Sequence, residues 1–190
     1  MDFLRNSRNA FGRNLSQISL VNLKYFQRMS VIIRENKVED NAILAKIIRT
    51  AFHDFEVSWT NGTVYSDPTT DDLSSLFQTE KSALFVAEED GLILGCCGIY
   101  PTENLPDDTT ELAKFYISKE ARGKGIGKLL LEKCLEKAKD LGYENVYLES
   151  IPEFSKAVSI YEKQGFQYLE KPLGNSGHSG CNLWMLKNLD

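Results

Sequence analysis

A strand-like run, Glu111–Ser118, is followed by glycines at alternate positions, Gly123, Gly125 and Gly127, and then by an amphipathic helix. The helical stretch puts Leu130, Cys134, Ala138 and Leu141 on one face with Leu131 and Leu135 beside them, and Gly142 stands where a C′ glycine ends a helix. This strand–loop–helix unit constrains the fold most, because a strand that enters a helix so abruptly must return to its sheet by a crossover.

The flanking segments set the rest of the architecture. Ser30–Asn36 predicts an opening strand, and Val38–Phe52 a helix with Ile43, Ile47 and Ala51 on one stripe. Residues 53–68 predict a loop, and Thr70–Gln78 a short helix begun by Asp71 and Asp72. Ala83–Glu88 and Leu92–Tyr100 flank Asp90-Gly91, a strong hairpin signal. Asn145–Glu149 predicts a short buried strand. Ser150-Ile151-Pro152-Glu153 has the form of a capping box for a helix carrying Phe154, Val158 and Tyr161, ended by Gly165. Phe166–Glu170 and Leu183–Leu189 predict two closing strands around the glycine-rich loop Gly174–Gly180. The order β-α-α-β-β-β-α-β-α-β-β defines an α/β (α+β) mixed sheet of about seven strands with four helices.

Composition narrows the class of partner. At 190 residues, 42% hydrophobic and 26% charged, the chain suits one well-buried domain. No run approaches the roughly 18 apolar residues of a membrane span. A net charge of −5 speaks against nucleic acid as a partner. Met1–Arg28 carries Arg5, Arg8, Arg13, Lys24 and Arg28 against Asp2 alone, and its apolar residues keep no steady period. It predicts a basic extension outside the fold, with Met29 as an alternative start and 29–190 as the domain; a transit peptide is the competing expectation. Cys96, Cys97, Cys134 and Cys181 form no C-x-x-C pair, which fits a reducing, cytoplasmic setting. Nothing suggests a metal.

The loop itself points to an anion. Its glycines let a ligand approach the backbone, the helix start offers unpaired N–H groups, and Arg122, Lys124 and Lys128 add positive charge. A Walker loop would need Ser or Thr after Lys128, where Leu129 stands. A Rossmann fingerprint begun at Gly123 would need Gly at 128. The spacing that remains is R-x-x-G-x-G, and a bare glycine turn before a basic helix is its plain alternative.

Two segments together resemble a known family. Lys114-Phe115-Tyr116-Ile117 with Arg122-Gly123-Lys124-Gly125-Ile126-Gly127-Lys128-Leu129-Leu130 is similar to the acyl-CoA signature of the GNAT (Gcn5-related) N-acetyltransferases. Tyr161-Glu162-Lys163-Gln164-Gly165-Phe166 is similar to that family's L-Y-x-x-x-G-F segment, and the element order follows its fold. The resemblance implies acetyl-CoA as acyl donor and a primary amine of a small molecule or peptide as acceptor. Direct transfer without an acyl-enzyme is implied too. Phe115, Tyr116 and Ile117 would hold the pantetheine arm through their backbone. Arg122, Gly123, Lys124, Gly125, Ile126, Gly127 and Lys128 would hold the pyrophosphate. Strands Glu111–Ser118 and Asn145–Glu149 would splay to leave a slot for the thioester. The family's frequent Asn at the start of the next helix is replaced here by Phe154.

Amine acylation needs a base, an oxyanion donor and a proton for the leaving thiolate. An alkyl ammonium of pKa about 10.4 must lose a proton first. Glu149, ending a strand beside the slot, is the candidate base, acting through water; a carboxylate pairing with a lysine is the alternative. The Ile117 N–H is the candidate carbonyl donor. Tyr161 is the candidate acid, a phenol of pKa about 10 opposite a thiolate, with a core aromatic as the alternative. His178 reads first as an exposed loop histidine, and as a base or substrate contact second. His53, Trp59 and Tyr65 stand where the acceptor pocket would be shaped. A non-catalytic acyl-CoA-binding sensor or regulatory module, and a nucleotide-binding module, are the competing functions. Nucleic acid and membrane are not expected as partners, and a homodimer is compatible with the sequence.

Overall fold

The computed structural model describes residues 31–57 and 61–189. The basic Met1–Arg28 segment and Trp59 lie outside the described residues. Among the described residues four helices and seven strands appear in the expected order: β1 Ile32–Glu35, α1 Asn41–Asp54, α2 Leu73–Leu76, β2 Ala83–Glu89, β3 Leu92–Tyr100, β4 Thr109–Ile117, α3 Ile126–Asp140, β5 Asn145–Ser150, α4 Ser155–Lys163, β6 Gln167–Leu169 and β7 Leu183–Asn188. They build one mixed sheet in the order β1-β2-β3-β4-β5-β7-β6. Every neighbouring pair is antiparallel except β4 and β5, which the α3 crossover makes parallel.

The alternation of strand side chains divides the core between the two faces. Cys97, Phe85, Leu112 and Leu148 pack with Leu130, Leu131 and Cys134 of α3 and with Tyr161 of α4. Cys96, Leu84 and Val86 pack on the other face with Leu44 and Ile48 of α1 and with Leu73 and Phe77. The adjacent cysteines therefore serve opposite faces, as their spacing predicts. Each fully buried leucine contributes about 1.5–3 kcal/mol of transfer free energy.

The element ends explain two of the sequence motifs, and one expectation fails. The Phe166 N–H reaches back to the Tyr161 carbonyl at 3.1 Å while Gly165 takes φ +86°. Their rings lie 5.8 Å apart. Tyr-x-x-x-Gly-Phe is thus a helix C-cap with its hydrophobic contact. The capping box expected at Ser150 does not form. Ser150 still pairs with Leu183 in the sheet, Pro152 opens a 3-10 turn, and neither that turn nor α4 takes a side-chain cap. Asp72 caps α2 instead, accepting from the Ser75 N–H.

Two irregularities in β4 bend it out of the sheet. Its pairing with β5 stops after Thr109–Asn145, Thr110–Val146 and Glu111–Tyr147, so the two strands splay beyond Glu111. Against β3 the register shifts by one residue between Ala113 and Tyr116, and Lys114 takes φ +55°. This bulge turns β4 as it leaves its parallel partner.

Candidate active site

The splay opens a cleft whose walls carry most of the residues singled out from sequence. Phe115, Tyr116, Ile117, Arg122, Gly123, Gly125, Ile126, Gly127, Lys128, Glu149 and Tyr161 all line it; Lys124 does not. A second cavity of about 740 Å³ adjoins it. The two share Thr63, Glu111, Ala113, Lys114 and His178, so they meet across the bulged part of β4.

The phosphate-loop end is open backbone. Gly123 and Gly125 hold φ of +79° and +82°, and a Cβ on either would meet no protein atom within 4 Å. The first backbone bond entering α3 is Leu129 N–H to the Gly125 carbonyl, at 3.3 Å, leaving the earlier N–H groups of the first turn without helical partners. Lys124 and Lys128 are exposed beside them. Lys128 pairs loosely with Glu132 at 3.6 Å. These groups fit an anionic, phosphate-bearing ligand.

Along β4, Ser118 gives its N–H to the Leu94 carbonyl at 2.8 Å. By strand alternation the Ile117 N–H, and that of Phe115 two residues earlier, face away from β3 and into the cleft. The Tyr161 ring is buried against Phe115 and Phe166 at 5.8 Å each. Its hydroxyl takes no hydrogen bond among the described residues, and burial pushes its pKa well above the ordinary phenol value. It therefore keeps its proton at neutral pH. Phe154, in the place of the family's Asn, makes edge-to-face contacts with Phe52, Phe55 and Tyr116 at the same end of the cleft.

The end that borders the second cavity is polar. Both Glu149 oxygens are engaged: Tyr147 donates its hydroxyl at 2.8 Å and Ser176 at 2.7 Å. Glu111, unremarked in the sequence beyond opening a strand, lies where the splay begins, 6% exposed and accepting a hydrogen bond from Thr102. Burial, reinforced by the nearby Glu149 charge, lifts its pKa to about 7. Its neighbours Thr110 and Leu112 are buried as well, so no alternating pattern marks it out in the sequence.

His178 is not a free surface histidine. Its Nε2 lies 3.3 Å from Asp67 Oδ2, and that carboxylate also binds the buried Lys114 ammonium at 2.6 Å. The hydrogen bonds from His178 and Lys114 hold the Asp67 carboxyl far below its usual range despite burial. His53 and Tyr65 touch each other, with ring centroids 5.8 Å apart, and line neither cavity. Cys181 lines the cleft, but burial lifts its thiol to about 12, so it is a poor nucleophile. Among the described residues no cluster of His, Cys, Asp and Glu suits a metal ion, and no helix is long and apolar enough to cross a membrane.

A mixed sheet with one parallel splay, a glycine loop at a helix start and a buried acid beside the gap together frame the cleft. The profile of the acetyltransferase (GNAT) family matches residues 45–166, and the chain belongs to that family. It is 31% identical over 160 residues to YjgM, an uncharacterized N-acetyltransferase of Escherichia coli K12, covering 84% of this chain and 96% of the relative. A GNAT-family acetyltransferase of Staphylococcus aureus Mu50 superposes with a TM-score of 0.74 at 20% identity, covering 85% of this chain and all of that one. The protein yncA of Salmonella typhimurium, solved with its cofactor acetyl-CoA, superposes with a TM-score of 0.64 at 19% identity, covering 85% of this chain and 95% of that one.

Proposed function

We propose that the chain moves an acetyl group from acetyl-CoA to a primary amine by direct transfer, with the donor in the β4–β5 cleft and the amine entering through the adjoining cavity. The observation that carries this reading is that the two cavities meet at Glu111, a buried acid poised near neutral pH. The loop N–H groups of Gly123, Gly125, Ile126 and Gly127, with Lys124 and Lys128, hold the pyrophosphate. The pantetheine arm lies along Phe115, Tyr116 and Ile117, and an inward N–H of Phe115 or Ile117 polarises the thioester carbonyl.

Glu111 takes the proton of the incoming ammonium, directly or through water, because a base near pH 7 suits operation at neutral pH. Glu149 borders the same space and remains the second candidate for that proton. Its fixed orientation by Tyr147 and Ser176 fits it to steer the amine. As the amine nitrogen bonds to the carbonyl carbon and the C–S bond breaks, Tyr161 gives its proton to the departing sulfur, and the second proton shed by the nitrogen passes through water to restore the Tyr161 hydroxyl. The acceptor is an amine of a small molecule or of a peptide. Four free cysteines, three of them buried, accord with a reducing compartment such as the cytoplasm.

Tyr161→Phe tests the acid. It keeps the ring contacts with Phe115 and Phe166 and removes the hydroxyl. The expected result is a kcat about 10²–10⁴-fold lower with acetyl-CoA affinity and melting temperature nearly unchanged. An intact kcat with a sharp loss of stability makes Tyr161 a core aromatic only.

A further inference from the structure

Arg122 opens the R-x-x-G-x-G motif and lines the cleft, yet its guanidinium is engaged by β4 and by the end of α1. The guanidinium Nε donates to the Ile117 carbonyl at 3.1 Å. One terminal nitrogen lies 2.8 Å from Asp54 Oδ2, and the planar group sits 4.8 Å above the Phe55 ring. Three protein partners on two segments leave it only 19% exposed. Asp54 is the last residue of α1, where an acid opposes the helix dipole; its buried Oδ2 accepts no hydrogen bond among the described residues and is matched by the ion pair with this guanidinium. Lys119 approaches the other oxygen at 3.9 Å but is 71% exposed and adds little.

The geometry points to Asp54 as a positioning residue for the donor site, acting through Arg122. We infer that the Asp54–Arg122 pair sets the corner between β4 and the glycine loop, and that Arg122 is not a ligand of the pyrophosphate. The inference rests on the donor cleft proposed above. In a strand the N–H and the carbonyl of one residue point to the same side. By engaging the Ile117 carbonyl, Arg122 fixes Ile117, the residue whose own N–H faces the donor. The fork geometry of arginine serves this well: it reaches a carbonyl and a carboxylate at once while lying flat on an aromatic ring, which lysine cannot do. The anionic charge of the donor is then left to the backbone N–H groups, Lys124 and Lys128.

The two possible roles of Arg122 give opposite signs for one variant. If Arg122 served the pyrophosphate, Asp54→Asn would release it and CoA would bind as tightly or more tightly. If the pair sets the corner, Asp54→Asn loosens Ile117 and weakens CoA by about tenfold. Calorimetric affinity for CoA, measured on the folded full chain, is the readout. Arg122→Lys is expected to weaken CoA to the same degree, and the double variant to be no worse than either single one. With acetyl-pantetheine, which lacks the pyrophosphate, both variants are expected to raise KM as much as they do with acetyl-CoA. Unchanged or tighter CoA binding by Asp54→Asn overturns the inference, as does a loss in Arg122→Lys that is seen with acetyl-CoA and not with acetyl-pantetheine. A wild-type chain that binds CoA but turns over neither donor defeats the enzyme reading alone, and the affinities still decide this one.

Discussion

Glu111 carries two opposed demands at the residue scale. Its folded pKa of about 7 lies above the ordinary carboxylate value, so the buried charge costs stability. The sign is that of a raised acid: the contribution is most favourable below the unfolded pKa and is lost as pH rises towards 7. Glu111→Gln removes that loss. The variant is expected to melt higher than the wild type at pH 8, with a smaller difference at pH 5, while kcat/KM falls about 10²–10⁴-fold. In the wild type kcat/KM is expected to climb through an apparent pKa near 7. Melting curves at the two pH values and a pH–rate profile check both statements. Gly125→Val carries a residue-scale prediction of another kind. Its φ of +82° is strained for any β-branched residue, and its Cβ would project into the space given to the phosphates. CoA affinity is expected to drop at least tenfold, and calorimetry showing wild-type affinity would displace the loop from the donor site. That Gly125 and Tyr161 would border one cleft was legible in the sequence, because spacing and residue type mark their segments. Glu111 was not, because its chemistry comes from Thr102, Glu149 and a change of pairing partner, none of which a local pattern records.

At the scale of elements, the decisive features are the places where regular pairing fails. The β4–β5 ladder ends after three residue pairs, and the bulge at Lys114 turns β4 away just where the cleft begins. Lys114 is 6% exposed, and its ammonium is held by Asp67 from the loop before α2. Removing one partner of such a pair leaves a buried charge, which typically costs about 3–5 kcal/mol. Asp67→Asn is therefore expected to lower the melting temperature by several degrees or more, and to weaken amine use because His178 loses its partner as well. Denaturant melts and the KM for the amine check the two effects, and a variant as stable as wild type would show the pair to be without consequence. The hairpin, the α3 face and the C-cap at Gly165-Phe166 were all legible, because each depends on residues within a turn of one another. The bulge, the early end of the ladder and the false capping box at Ser150 were not. Each depends on a strand distant in sequence: β3 sets the bulge, β5 the splay, and β7 holds Ser150 in the sheet.

For the whole molecule, charge separates an acidic domain from a basic first segment. Taking the five basic residues and one acid of Met1–Arg28 from the totals of 22 and 27 leaves 17 basic and 26 acidic residues. We propose that this segment is dispensable for folding and catalysis. A chain starting at Met29 is expected to melt within a few degrees of the full one and to keep its kcat/KM, and a large loss in either would tie the segment to the domain.

Transfer of acetyl to an amine, with Glu111 receiving its proton, is tested most directly by the release of free CoA thiol. Initial rates are taken from acetyl-CoA with polyamines, amino acids, aminosugars and peptide N-termini, for the wild type and Glu111→Gln in parallel. The expected result is stoichiometric CoA release that requires an amine, shows no burst without one, and falls about 10²–10⁴-fold in the variant. Tight binding of acetyl-CoA with no amine able to release CoA would contradict this and make the chain an acyl-CoA sensor. Equal rates for the two proteins would move the proton away from Glu111.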